Sequence, residues 1–430
     1  MTPAPLPRRL EVLRRATLLD GRLVDVVLDG PVVAAVLPAG SAPPASGPDA
    51  ELDLTGFTVM TAPAEPHAHL DKAGSWDLIE PPMGDLGRAV ESWVAYATTM
   101  TEESIVERAR AMALRMLAQG TTAIRSHVDL LRDGDPLRGV RALLRVRAEL
   151  DGLLDLQLVA LGHEFVSDAV YEEALDLGVD LVGGAPHMAT EPLPQLHRQL
   201  DIAERRGAPV DLHTDESLDG PVTIVELAKR VREWSQPVTA GHCVRLGTMP
   251  PAELAATIAE VHASDLGIVT LPITNLYLQG WGHPTSTPRG LTAIRALLEA
   301  GVRVGAGADN VRDPFNPVGR GDALETASLL VTAGHCTLHE ALTLISDGAR
   351  SVMSLPPAGP QPGAAAELLA VRGTRPGAIV AEASADRYVV HAGRLVAHSR
   401  VEQHVALPQH SPATSAASAP TAPTISGGDR

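Results

Sequence analysis

The sequence predicts an α/β protein: a (β/α)8 barrel of the TIM type, joined to a small β-sandwich domain built from N- and C-terminal segments. Three observations carry this. Eight short apolar runs follow one another from Phe57 onward, each of strand length. Helix-period segments such as Glu102 to Leu117 and Thr223 to Trp234 lie between them, as parallel strands require. β-like runs with hairpin turns flank this region on both sides. A doubly wound open sheet is the competing arrangement.

In chain order, residues Leu10 to Leu54 open with Val12-Leu13, Arg22 to Val24, Val26 to Leu28 and Val32 to Val36, turned by Asp20-Gly21 and Asp29-Gly30. A Pro/Ala/Ser/Gly loop, Pro38 to Pro48, follows. The eight barrel runs begin with Thr58 to Met60, expected as strand 1, then Thr122 to His127, Leu156 to Leu161 and Leu181 to Ala185. Pro209 to His213, Val238 to His242, Gly267 to Leu271 and Arg303 to Gly307 complete them. Leu368 to Val371, Arg387 to Val390 and Arg394 to Ala397 return to a β pattern around Ala392-Gly393. The expected domains are therefore 1–56 with 362–405 as one composite small β domain, and 57–361 as the barrel. Residues 408–430, rich in Ser, Ala, Pro, Thr and Gly, read as a disordered tail.

Composition narrows the function. The 430-residue chain is 45% apolar, enough for a large core. A net charge of -17 argues against nucleic acid and anionic membrane surfaces as partners. Two cysteines, Cys243 and Cys336, do not make a disulfide scaffold or a Cys-type zinc site. No apolar targeting segment or membrane-length run is present, so the expected location is the cytoplasm. The sequence leaves a homo-oligomer open.

Chemistry in a barrel gathers at the C-terminal ends of strands. His67 and His69, two apart, share one face of an extended segment. His213 ends strand 5, followed by Asp215 and Glu216; His242 ends strand 6, and Asp309 follows strand 8. Three histidines and a carboxylate hold one divalent metal and leave a position for water, whose pKa then drops toward neutral. Strand 4 ends Gly184-Ala185-Pro186-His187 with no lysine, and the chain's two lysines, Lys72 and Lys229, lie elsewhere, which argues for one metal rather than two bridged by a carboxylated lysine. Glu216, near such a metal, is placed to pass a proton to a ring nitrogen and a leaving amine. His283, His335 and His339 read as surface or loop residues, and Cys243 as packing.

These segments resemble the amidohydrolase superfamily, in its cytosine deaminase-like branch. His67-Ala68-His69-Leu70-Asp71 looks like the strand-1 signature, and Arg125-Ser126-His127-Val128-Asp129 the strand-2 segment. His213-Thr214-Asp215-Glu216 is similar to the strand-5 HxDE, Thr239-Ala240-Gly241-His242 to strand 6, and Asn275 to Gly280 to the loop after strand 7. Ala308 to Phe315 matches the strand-8 segment. The resemblance implies His67, His69, His213 and Asp309 as ligands of one Zn2+ or Fe2+ ion. It implies that His242 bonds a metal-bound hydroxide, that Glu216 shuttles a proton to the substrate ring, and that Asp309 takes a proton from the attacking water.

The departures concern the pocket. His163 stands where cytosine deaminase has a glutamine, and Asp309-Asn310 where it has two aspartates. With Gln279 and Phe315, His163 and Asn310 are the candidate substrate-binding residues. The expected function is hydrolytic deamination of a small nitrogen heterocycle, a cytosine-like pyrimidine or an aminotriazine. The alternatives are ring opening of a cyclic amide, as in imidazolonepropionase-like relatives, and a non-catalytic metal-binding scaffold.

Overall fold

The structure, a computed structural model, describes residues 6–406, so the expected tail at 408–430 lies outside the described residues. The chain divides into two units, Met1–Arg400 and Val401–Arg430; the described part of the second has no regular secondary structure.

The N-terminal strands are β1 Arg8–Arg9, β2 Val12–Leu18, β3 Leu23–Asp29, β4 Val32–Pro38, β5 Glu51–Asp53 and β6 Phe57–Thr61. The barrel strands are β7 Ala64–Ala68, β8 Ala123–Asp129, β9 Asp155–Gly162, β10 Leu181–Gly184, β11 Val210–Thr214, β12 Val238–His242, β13 Gly267–Thr270 and β14 Val304–Ala306. The chain closes with β15 Leu368–Arg372, β16 Arg387–His391 and β17 Arg394–Ser399. β7 to β14 form one eight-stranded sheet, each pairing in parallel with the next. A single parallel bridge, Ala68 to Asp309, spans the gap between its edges, so the TIM-type barrel is nearly closed. Among the described residues no helix is long and apolar enough to cross a membrane.

The terminal segments share one sheet. Its nine strands run β1-β17-β16-β15-β6-β2-β3-β4, with β5 beside β2. The sheet curls into a sandwich-like half-barrel, because Val32 of β4 bridges Ala365 just before β15. Leu10, Leu13, Val26, Leu54, Val59, Leu368 and Val390 fill it.

One expectation is corrected. The run expected as barrel strand 1 is β6, and it belongs to the small sheet: Thr61 to Phe57 pair antiparallel with Leu368 to Arg372, and Thr58-Val59 run parallel to Thr17-Leu18. The first barrel strand is β7. Pro63 makes the change of partner. It has no N–H to continue the ladder, and its carbonyl accepts from Thr122 N at 3.1 Å, which starts the pairing with β8. β6 and β7 are both buried along their whole length, so neither shows the alternation that would have told them apart.

Candidate active site

The C-terminal ends of the barrel strands bring His67, His69, His213, His242 and Asp309 together. His213 Nε2 lies 3.2 Å from His67 Nε2 and 3.1 Å from His69 Nε2. Asp309 Oδ1 lies 3.3 Å from His69 Nε2 and 3.8 Å from His67 Nε2. Burial keeps all three imidazoles neutral, holding them well below the usual histidine range. Burial and then the nearby Glu216 carboxyl push Asp309 well above the carboxylate range. Neither Asp309 oxygen has a hydrogen-bond partner among the described residues.

Three neutral imidazole nitrogens and a carboxyl oxygen without a hydrogen-bond partner converge on one point, a set that a cation would satisfy. The spacing agrees: ligands bound at about 2.0–2.1 Å in a tetrahedron lie about 3.3 Å apart. The cluster therefore fits one divalent metal. A second set, His67, His127 and Asp211, lies deeper in the barrel. There Asp211 takes Arg125 NH1 at 2.7 Å on one oxygen and faces His127 Nε2 at 3.4 Å with the other. Burial works against that carboxylate, but the His127 bond and the Arg125 charge hold it low. It is an occupied ion pair that supports His67 from below, its Oδ1 standing 3.8 Å from His67 Nδ1.

The backbone is bent to reach this geometry. His242 and Asp309 sit in the left-handed region, at φ 66° and φ 61°, where residues with side chains are uncommon and strain gathers at functional sites. Gly241, next to His242, runs so close under His67 that a Cβ there would stand 2.8 Å from its Cε1. Glu65, two residues before His67, accepts from Ala308 N at 2.8 Å and His67 N at 3.2 Å. It thus ties the segment carrying Asp309 to the strand carrying the two histidines, at the edge where the barrel lacks a full ladder. Burial raises its pKa to about 8.

Glu216 and His242 form the second half of the site. Glu216 Oε1 lies 3.4 Å from His242 Nδ1, and burial alone raises the Glu216 pKa to about 8. Asn275 Nδ2 donates to His242 Nδ1 at 3.0 Å, which leaves the imidazole proton on Nε2, 3.9 Å from Asp309 Oδ2. Asp215 turns the other way: its oxygens take Thr223 N at 2.8 Å and Ile224 N at 3.1 Å at the start of the helix Ile224–Val231.

A cavity of about 220 Å³ opens over the cluster, with His69, His213, Glu216 and His242 in its lining. His163, Asn310 and Phe315 line it as well. Gln279 does not; its Nε2 donates to the Glu216 carbonyl at 2.7 Å, so it braces the backbone that carries Glu216. Asn310 Nδ2 is engaged by Asp313 Oδ2 at 2.8 Å. One wall comes from the helix Leu86–Ala97, whose Leu86, Val90, Trp93, Val94 and Ala97 recur at helical spacing on the cavity side. Lys72, Asp129, Trp93 and Asn275 were not assigned roles from sequence. Asp129 ends the Arg125–Asp129 segment and Asn275 begins the Asn275–Gly280 segment, and those positions at strand ends are the signal that points to them.

Cys243 is buried, as packing requires, and the same burial raises its thiol well above the usual range. His335 accepts from Arg289 NH1 at 3.0 Å on the outside of the barrel.

Comparison with known proteins follows the same lines. Residues 80–397 match the profile of a family described as Amidohydrolase family. A pterin deaminase from Rhizobium rhizogenes is 30% identical, over 87% of this chain and 88% of that protein. The crystal structure of 5-methylcytosine deaminase from Klebsiella pneumoniae superposes with a TM-score of 0.82 at 25% identity, covering 92% of this chain and all of that one (100%). N-isopropylammelide isopropylaminohydrolase from Burkholderia multivorans gives a TM-score of 0.76 at 28% identity, covering 90% and 98%.

Proposed function

Since this chain belongs to the amidohydrolase family and acts on carbon–nitrogen bonds, we propose that it hydrolytically deaminates a flat amino-substituted heterocycle, either a pterin-like bicycle or a cytosine-like pyrimidine. One observation carries the reading: Glu216, raised to about 8 by burial, holds its proton at neutral pH in the wall of a cavity whose floor is the ligand cluster. A protonated carboxyl there is a general acid matched to a ring nitrogen. The apolar wall of Val90, Trp93, Val94 and Phe315 suits the faces of a planar ring.

His67, His69, His213 and Asp309 would hold the ion. When bound it supplies a water of lowered pKa, so that attack needs no strong base. The chain's own residues then divide the proton work. Asp309 takes a proton from the attacking water on its second oxygen. His242, its tautomer set by Asn275, donates from Nε2 toward the oxygen that adds to the ring carbon. Glu216 gives its proton to the neighbouring ring nitrogen; as the carbon–nitrogen bond breaks, Asp309 passes its proton to the leaving amine and the hydroxyl proton on the ring carbon returns to Glu216. Zinc is the ion we favour, because the compact set of three imidazoles and one carboxylate suits its tetrahedral preference; Fe2+ accepts the same donors.

The test is ammonia release from pterin, isoxanthopterin, cytosine and aminotriazines by the zinc- or iron-loaded protein. Glu216→Gln is expected to lower turnover at least about a hundredfold, the weight of a general acid, while metal content stays stoichiometric. A ring-opened product without free ammonia would overturn deamination in favour of cyclic-amide hydrolysis. Full activity in Glu216→Gln would remove the proton role assigned to it.

A further inference from the structure

Lys72 is one of two lysines in the chain, and the fold buries it to 3% exposure in the cavity wall. A lysine ammonium has three N–H donors and no acceptor. One donates to Asp129 Oδ1 at 2.7 Å, and Asp71 Oδ2 lies farther off at 3.5 Å. The third direction faces His69 Nδ1 at 3.3 Å. Asp71 Oδ2, at 3.5 Å, stands at the outer limit of a hydrogen bond, so the N–H aimed there is the most weakly held, and Lys72 lines the cavity, where that donor can turn to a ligand.

Asp129 beside it is similarly placed. Its second oxygen takes Trp93 Nε1 at 2.5 Å, and its main-chain N–H is occupied by Asp71 Oδ2 at 3.1 Å. Each carboxylate oxygen has room for two donors, so Asp129 keeps acceptor capacity while lining the cavity. The two side chains thus present a donor and an acceptor side by side, buried, between His69 and the apolar face of the helix Leu86–Ala97. Trp93, whose ring centroid lies 5.1 Å from Lys72 Nζ, fixes the pair in place.

We infer that Lys72 and Asp129 are the specificity-determining pair of this site, and that they read a ring amide edge, C=O beside N–H, on the heterocycle whose exocyclic amino group is lost. The inference rests on the deaminase reading above. Lys72 donates to the ring carbonyl and Asp129 accepts from the adjacent ring N–H. The amide edge is untouched by the reaction: water adds at the amino-bearing carbon, that C–N bond breaks, and ammonia leaves. An all-amino ring presents an NH2 where the carbonyl would be, setting donor against donor. Buried polar groups reject such a mismatch strongly. The substrate class is therefore an amino-oxo heterocycle rather than an aminotriazine carrying amino groups alone.

The test compares probes that differ only at this edge: pterin with 2,4-diaminopteridine, and cytosine with 2,4-diaminopyrimidine. Equilibrium binding to the zinc-loaded full chain is measured by fluorescence and calorimetry, beside ammonia release. The wild type should prefer the amino-oxo member of at least one pair. Lys72→Met should weaken that member's binding about tenfold to a hundredfold, the span of a hydrogen bond to a charged group, and collapse the preference, with zinc content unchanged. Asp129→Asn should act in the same direction. If Lys72→Met does not hold zinc, Lys72→Arg and Asp129→Asn decide, since either must lower the preference. No preference in the wild type, or a preference kept in every zinc-holding variant, overturns the inference. Tight, selective pterin binding without ammonia release would instead sink the deaminase reading and leave the recognition pair standing.

Discussion

Gly241 places its backbone where a single methyl would strike the His67 ring, 2.8 Å from Cε1 and 2.9 Å from Nδ1. Gly241→Ala must tilt that ring away from His69 and His213. The expected result is a zinc affinity about tenfold to a hundredfold lower, the usual scale for disturbing what orients a ligand, read by competition with a chromophoric chelator. An unchanged affinity would show that the barrel yields at β12 instead. The metal-binding cluster was legible in the sequence because strand ends are periodic landmarks: a histidine at the end of an apolar run has one direction to face. Loop side chains have no such landmark. Asp215 and Glu216 are neighbours, yet one caps a helix and the other enters the cavity. Gln279 read as a ligand contact and instead bonds the Glu216 carbonyl. Lys72 sits three residues past His69, but its orientation depends on Asp129 and Trp93, which the sequence separates from it widely.

Between β15 and β16 a buried pair offers a pH-dependent contact. His391 Nδ1 lies 2.9 Å from Glu367 Oε2, and Ala392 N donates to the other oxygen at 2.8 Å. Burial disfavours the charged imidazole, but the Glu367 bond and charge outweigh it and raise the His391 pKa. A raised histidine stabilises fully below its unfolded value of about 6.5, and that contribution fades as pH climbs through the folded value. Thermal midpoints of wild type and Glu367→Gln should therefore differ most near pH 5.5 and converge toward pH 8.5. A gap that widens with pH would contradict the assignment. At this scale the sequence was most informative where alternation or a turn marked the element. The hairpins at Asp20-Gly21, Asp29-Gly30 and Ala392-Gly393 are present, and so are seven of the eight expected barrel runs. The eighth, at Thr58 to Met60, failed because strand identity is decided by partners, and partners are non-local: Leu368 to Arg372 lie some three hundred residues away in sequence.

The small sheet and the barrel are locked together by Arg387. Among the described residues it is the largest fully buried side chain, and it grips Asp322 with both nitrogens, at 2.8 and 2.7 Å, while also donating to the Gln119 carbonyl at 2.6 Å. Removing one member of such a pair strands the other charge, so Arg387→Met should cost about 3–5 kcal/mol, measured by denaturant unfolding. The double variant with Asp322→Leu should recover part of the loss. Metal acts on the whole molecule too. Stripping the ion with a chelator should lower the thermal midpoint, and added zinc at about a thousand times its Kd should restore about 4 kcal/mol. The passage from β6 to β7 through Ala62 and Pro63 has a practical result for anyone seeking a smaller catalyst. The same stretch of backbone that finishes the small sheet at Thr61 delivers His67 six residues later and His69 eight. Trimming the chain to a bare barrel would leave those two ligands on a ragged new terminus. New ends are better opened away from that junction, in the exposed loop Trp281 to Thr287, where a circularly permuted protein would keep it intact.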